Sequence, residues 1–257
     1  MIINPYRFGV GYTARTSAFA TATGITDATI LGALNTFDLG LISNGLDSKM
    51  KAVYPFVGGS AITHKYNFFD ARDLDIAFRL QFNGGFTHSS NGILLNGTNA
   101  YANTFLTTSS TLGLNSTHFS IYSRTNSPNS LGFDMCTNSS QSFSLATSFN
   151  SNTTYFQVNQ NIGYSTFTDA DSLGFRLISR NSSTTEKLFK NSSLVGSVTV
   201  NTQGQYGAID IGRFISGGYY SNKQYAFMTI GNGLTDGEAS TLYSLIQTFQ
   251  TSLSRQV

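Results

Sequence analysis

The hydrophobic pattern of this chain changes period along its length, and each change predicts a different element. Up to residue 25, small, polar and aromatic positions alternate with no sustained period, which predicts an extended arm carrying Tyr6, Phe8, Tyr12 and Phe19. From Thr26 the pattern turns helical. Thr26 and Asp27 are capping residue types, and Ile30, Leu34, Phe37 and Leu41 recur along one helical face. A second short helix is predicted next, capped by Asn44, with Leu46, Met50, Val53 and Tyr54 as its apolar stripe and Pro55, Gly58 and Gly59 as its stop.

Beyond Ile62 the period falls to two. Phe119 and Ile121 oppose Ser120 and Tyr122, and Phe175 and Leu177 oppose Arg176 and Ile178. Val198 and Val200 flank Thr199, Ile209 and Ile211 flank Asp210, and Ala226, Met228 and Ile230 oppose Phe227 and Thr229. Turn signals at Asn83-Gly84-Gly85, Asn91-Gly92, Asn96-Gly97 and Gly217-Gly218 separate such runs. Many short strands at this spacing predict a β-sandwich. A helical period then returns: Thr235 and Glu238 match a capping box, and Leu242, Leu245, Ile246, Phe249 and Leu253 form one face that packs on the sandwich or on a neighbouring subunit. The predicted organisation is a docking arm with short helices over residues 1–60 and a sandwich with a closing helix over residues 61–257.

Composition narrows the picture. A length of 257 residues suits one large all-β domain, and 21 Phe and 13 Tyr supply its core. Only 11% of residues are charged, and the net charge of +2 is scattered, so neither nucleic acid nor an anionic membrane is an expected partner. Cys136 stands alone, which excludes an intrachain disulfide and a thiolate zinc site. The start of the chain lacks the basic head and apolar run of a secretory signal, and no apolar run approaches membrane-spanning length, so a soluble protein without membrane insertion is expected.

Several segments carry a family resemblance. Residues 93–102 (ILLNGTNAYA), 118–124 (HFSIYSR), 175–180 (FRLISR) with 187–195 (KLFKNSSLV), and 209–212, 220–228 and 234–239 resemble in order the strands and ending of the laminin-G-like, concanavalin A-like lectin and glucanase superfamily. Ser192 replaces the Gly usual at that family's central turn. The resemblance covers roughly residues 80–257 and implies a mainly β jelly-roll sandwich behind an extended and helical N-terminal arm. Residues 50–59 (MKAVYPFVGG), 64–67 and 247–257 also resemble phage structural proteins that carry this module, which implies a homo-oligomeric virion protein in contact with other virion proteins.

Candidate chemistry is sparse. The superfamily's glucanases place paired carboxylates on one strand, about 5 Å apart in retaining enzymes, and this chain has no such motif. Glu186 sits at a hairpin beside Lys187 and Glu238 is a cap, so no catalytic residue is assigned and no enzyme is expected. Asp70, Asp73 and Asp75, and separately Asp169 and Asp171, have oxygens suited to a hard cation, but turn and capping roles explain them; neither a metal nor a cofactor is assigned. His64, His88 and His118 lack ligand spacing and are expected to be structural. Six Asn-x-Ser/Thr sequons, at Asn96, Asn115, Asn138, Asn152, Asn181 and Asn191, are the by-product of a surface rich in Ser, Thr and Asn.

Carbohydrate recognition needs only an aromatic platform and nearby amides, and residues 217–222 (GGYYSN) supply both. Tyr219, Tyr220 and Asn222 are therefore the expected sugar-binding residues, with one tyrosine facing the core and the other solvent. The expected function is a structural protein on the surface of a phage head or tail, made in the host cytoplasm and holding host-surface glycans. A free carbohydrate-binding module is the alternative, and a glycoside hydrolase the less favoured one.

Overall fold

The computed structural model describes residues 11–128, 130–139, 142–160, 163–205, 207–214 and 218–257. Its helices are α1 (Ala14–Thr23), α2 (Ala28–Ser43), the single turns α3 (Ala61–His64) and α4 (Thr108–Thr111), and α5 (Asp236–Ser252). Its strands are β1 (Met50–Tyr54), β2 (Gln81–Asn83), β3 (Phe86–Ser89), β4 (Gly92–Leu95), β5 (Tyr101–Thr107), β6 (Thr117–Ser123), β7 (Met135–Thr137) and β8 (Phe143–Phe149). They continue with β9 (Thr153–Val158), β10 (Ser165–Thr168), β11 (Gly174–Arg180), β12 (Thr185–Lys190), β13 (Ser193–Thr199), β14 (Ala208–Ile211) and β15 (Gln224–Gly231).

Among the described residues these strands form two antiparallel sheets. One runs β13-β12-β11-β6-β15-β4-β3, with β1 also paired on β15, and the other runs β10-β9-β8-β7-β14-β5-β2. Strand alternation sets what lies between them. Phe119, Ile121, Met228 and Ile230 of the first sheet meet Met135, Leu145, Phe156, Ile209 and Ile211 of the second in a fully buried core. The opposite face of the first sheet, through Tyr122, Phe175, Leu177 and Phe227, packs on Leu34 and Phe37 of α2 and on Leu242, Ile246 and Phe249 of α5. Phe37, Phe227 and Phe249 meet edge to face with centroids 5.1 to 6.0 Å apart. Each such side chain contributes about 1.5–3 kcal/mol by leaving water, so the helices are a third layer of the fold. The sandwich expected from the period-two runs, and its C-terminal helix, are both present.

The caps of α2 and α5 follow their sequence signals. Asp27 Oδ1 accepts from the amides of Thr29 and Ile30 at 2.8 and 3.0 Å. Thr235 Oγ1 accepts from the Glu238 amide at 3.3 Å, and Glu238 Oε2 takes the Thr235 amide at 2.8 Å. After α5, the buried Arg255 guanidinium donates to the carbonyls of Pro55, Phe56, Ser90 and Ala226 and to Gln250 Oε1, fastening the tail across the first sheet.

The N-terminal sixty residues depart from expectation. Tyr6 and Phe8 lie outside the described residues, but residues 14–23 are helical rather than extended. Thr13 caps α1 and Gly24, in the left-handed region, ends it. The helix shows no sequence period because its faces are built of Ala and Thr, with Phe19 as the one large buried residue. Phe19 packs on Phe68 of its own chain at 5.5 Å, whereas Tyr12 is 42% exposed. The second predicted helix is instead a single 3-10 turn, Asp47–Lys49, followed by β1. Both faces of β1 are covered, Val53 by the helix layer and Ala52 and Tyr54 by the sandwich core, and a strand buried on both faces loses the alternation that marks it. The first sheet therefore includes residues assigned from sequence to the arm.

Candidate functional site

Residues 219–222 lie where the β4–β5, β6–β7 and β14–β15 connections meet at one rim of the sandwich. The backbone locks them together: the Phe133 amide donates to the Tyr219 carbonyl at 2.9 Å, Gly97 to Ser221 at 3.0 Å, and Ser221 to Gly212 at 2.8 Å. Gly132 makes the approach feasible, since a Cβ there would sit 2.4 Å from Ser221 Cα and 2.6 Å from the Tyr220 carbonyl oxygen. Tyr219 has φ +51°, a left-handed conformation that costs a non-glycine residue about 1–3 kcal/mol. That conformation rests its ring against Phe149, Phe214 and Phe133, at 5.8, 5.9 and 6.4 Å, and leaves it 51% exposed.

Tyr220 is half-buried and bridges to Phe133, and Asn222 is exposed. Neither tyrosine joins the core, so the inward-facing ring expected from alternation is not found: Tyr220 is half-buried at the wall of the same recess that Tyr219 borders. The three residues border a recess of about 450 Å³ together with Gly97, Ser127, Pro128, Ser130 and Leu131. Asn222 Oδ1 accepts from the hydroxyls of Ser127 at 3.2 Å and Ser130 at 3.4 Å, which orients the amide and leaves its Nδ2 hydrogens without a partner among the described residues. A depression of about 480 Å³ between the start of α2 and residues 252–254 has no aromatic residue in its wall.

A buried polar network holds the rim from below. Lys223 Nζ donates to Asp134 Oδ1 at 3.0 Å and to the Thr147 carbonyl and hydroxyl at 2.6 and 2.8 Å. Asp134 also takes the Tyr225 hydroxyl at 2.6 Å and the Thr147 amide at 2.6 Å. Ser221 Oγ lies 2.6 Å from the Tyr225 hydroxyl, so the network reaches the loop itself. Burial pushes the Lys223 pKa down, opposed by Asp134, and pushes the Tyr225 pKa well up. Sequence reasoning missed Ser127, Ser130 and this network, because nothing in the polar run 125–133 marks a residue that meets position 222.

The other candidates are engaged elsewhere. Glu186 is fully buried and accepts from Ser165 Oγ, the Val158 amide and Arg180, and burial raises its pKa against those contacts. Glu238 pairs with Lys49 at 2.6 Å besides capping α5. Asp70, Asp73 and Asp75 pair with Arg72, Lys65 and Arg79, while Asp169 is shared by Arg176 and Lys190 and Asp171 lies 3.3 Å from Lys190. His118 is bonded to the Asn232 carbonyl and Thr229. His64 and His88, distant in sequence, meet with their Nδ1 atoms 3.0 Å apart.

Two antiparallel sheets with a helix layer on one of them make a β-sandwich of the concanavalin A-like fold. No family model matches the sequence, and no curated protein matches it. Solved structures do. The chain is similar to the binding domain of botulinum neurotoxin DC in complex with rat synaptotagmin II, at 13% identity over 78% of this chain and 52% of that one, with a TM-score of 0.53. It is similar to a structure of botulinum neurotoxin type C, whose cell entry depends on interaction with two ganglioside molecules, at 13% identity over 80% and 53% of the chains, TM-score 0.54. For the serotype G binding domain the values are 14%, 76%, 50% and 0.50. The chain spans about half the length of these structures, and at such identity the likeness is one of fold.

Proposed function

We propose that this chain is a non-catalytic glycan-binding domain that holds a sugar at Tyr219, Tyr220 and Asn222. The observation that carries the reading is the half-exposed Tyr219 ring beside an Asn222 amide whose carbonyl is held by two serines and whose N–H groups have no partner among the described residues. A pyranose offers an apolar face to such a ring and hydroxyls to such an amide. The ganglioside interaction of neurotoxin type C is an analogy on the same fold, and the synaptotagmin complex is a reminder that the fold also serves protein partners. The use of both glutamates in buried pairing and capping supports a chain without hydrolytic chemistry. A glycan array tests the reading: binding is expected, and Tyr219→Ala and Asn222→Ala are each expected to weaken it at least tenfold, about 1.4 kcal/mol, without sugar hydrolysis. Unchanged binding in both variants would remove the site.

The narrower reading places the domain on the surface of a phage particle, as a homo-oligomer among other virion proteins. It is supported by the resemblance of residues 50–59, 64–67 and 247–257 to phage structural proteins. Mass spectrometry of purified particles is expected to find the chain, and its presence only in the free lysate fraction would leave the alternative, an unattached carbohydrate-binding module.

A further inference from the structure

We infer that the rim site is selective for a neutral saccharide and binds it without a metal ion; this rests on the glycan-binding reading above. The inference comes from where charge is placed around the recess. Among the described residues, the segments that border it, 96–101, 125–128, 130–133 and 218–222, contain no Asp, Glu, Lys, Arg or His. Four charged residues flank those segments, and none of them lines the recess. Lys223 and Asp134 are fully buried and paired with each other at 3.0 Å. Arg213 pairs with Asp210 at 2.6 Å and lies over the Tyr101 ring at 3.5 Å. Arg124 does not line the recess; it lies within electrostatic reach of Arg255 and Tyr122, with its Nε and Nη1 buried.

A carboxylate or sulfate brought into this recess would surrender hydration and meet no cation, which is unfavourable even at a partly wet surface. A sugar hydroxyl suffers no such loss. It exchanges water for the Asn222 N–H groups, which have no partner among the described residues, or for the Ser127 and Ser130 hydroxyls, while one pyranose face covers the half-exposed ring of Tyr219. None of the described residues that line the recess offers a carboxylate ligand to a hard cation, so calcium has no part in holding the sugar.

The experiment uses the whole chain and an array of lactose, N-acetyllactosamine, maltose and cellobiose beside sialylated and sulfated lactose. The neutral members are expected to bind about tenfold or more tighter than the charged ones, with affinity changing less than about twofold between roughly 50 and 500 mM NaCl. A chelator is expected to leave binding intact, and Tyr219→Ala to remove it. Leu131, 57% exposed at the edge of the recess, provides a positive control: Leu131→Lys is expected to move the preference toward the sialylated glycan. Tighter binding of the charged sugars, or binding that collapses in high salt, overturns neutral selectivity while the glycan-binding reading stands. Loss of binding in chelator overturns the metal-free part. Failure to bind any member ends both the inference and the reading on which it rests.

Discussion

Lys223 and Asp134 show how a single pair of residues carries the geometry of the rim. Both are completely buried, and their shared contacts with Thr147 and Tyr225 run to Ser221, one residue from Asn222. Removing only the ammonium leaves a carboxylate enclosed without its cation. Lys223→Met is therefore expected to lower stability by about 3–5 kcal/mol in urea denaturation, and the double change with Asp134→Asn to recover much of that loss. A loss below about 1 kcal/mol would show that the pair is better hydrated than its burial indicates. At this scale the sequence was partly legible. Tyr219, Tyr220 and Asn222 announce themselves as aromatic rings beside an amide, but Ser130 reaches Asn222 across 92 positions, and no local pattern distinguishes it from other serines in polar loops.

Elements differ in how openly the sequence displays them, and burial decides which. α5 has a hydrophobic stripe above a polar face and a reciprocal cap, so its start and its orientation are readable. The strands around 119–122 and 209–211 are readable because polar Ser120 and Asp210 interrupt their apolar core positions, so the alternation survives even where both faces are buried. β1 is not, since both faces are covered, and α1 is not, since alanine and threonine make no stripe. The consequence for α1 is testable. Phe19 is buried against Phe68 within the same chain, so Phe19→Ala is expected to cost about 3–5 kcal/mol of unfolding free energy with no change in oligomeric state. A variant that unfolds like the parent but loses assembly would return the helix to a docking role.

The whole molecule is expected to weaken in acid through its three imidazoles, His64, His88 and His118, each of whose pKa values burial pushes down. Burial, with His88 and Arg255 beside it, pushes His64 from 6.5 down to about 3. Burial pushes His118 down to about 4, with Lys49 adding to the effect and the Asn232 carbonyl and Glu238 opposing it. Below about pH 6.5 the unfolded chain takes up protons that the folded chain refuses, so stability is whole above that pH and falls as pH drops toward the folded values. Each group contributes a slope of about 1.4 kcal/mol per pH unit across its window. Melting temperature should be flat from about pH 8 to 7 and fall steadily below pH 6, and His118→Gln should flatten the fall. An acid branch unaltered by this change would assign the loss to the carboxylates.

The pairing of β1 with β15 also sets a timetable. Val53 lies opposite Thr229, so a strand made early in synthesis has its partner on a segment translated far later. At roughly 5–20 residues per second, β1 waits on the order of ten to forty seconds after leaving the ribosome for the strand it joins. During that interval Ala52, Val53 and Tyr54 have neither the sheet edge nor the α5 layer to cover them. A nascent chain stalled before residue 224 should thus be cut readily by protease near β1 and recruit holdase chaperones, whereas release of β15 closes the site of cleavage and the sandwich together.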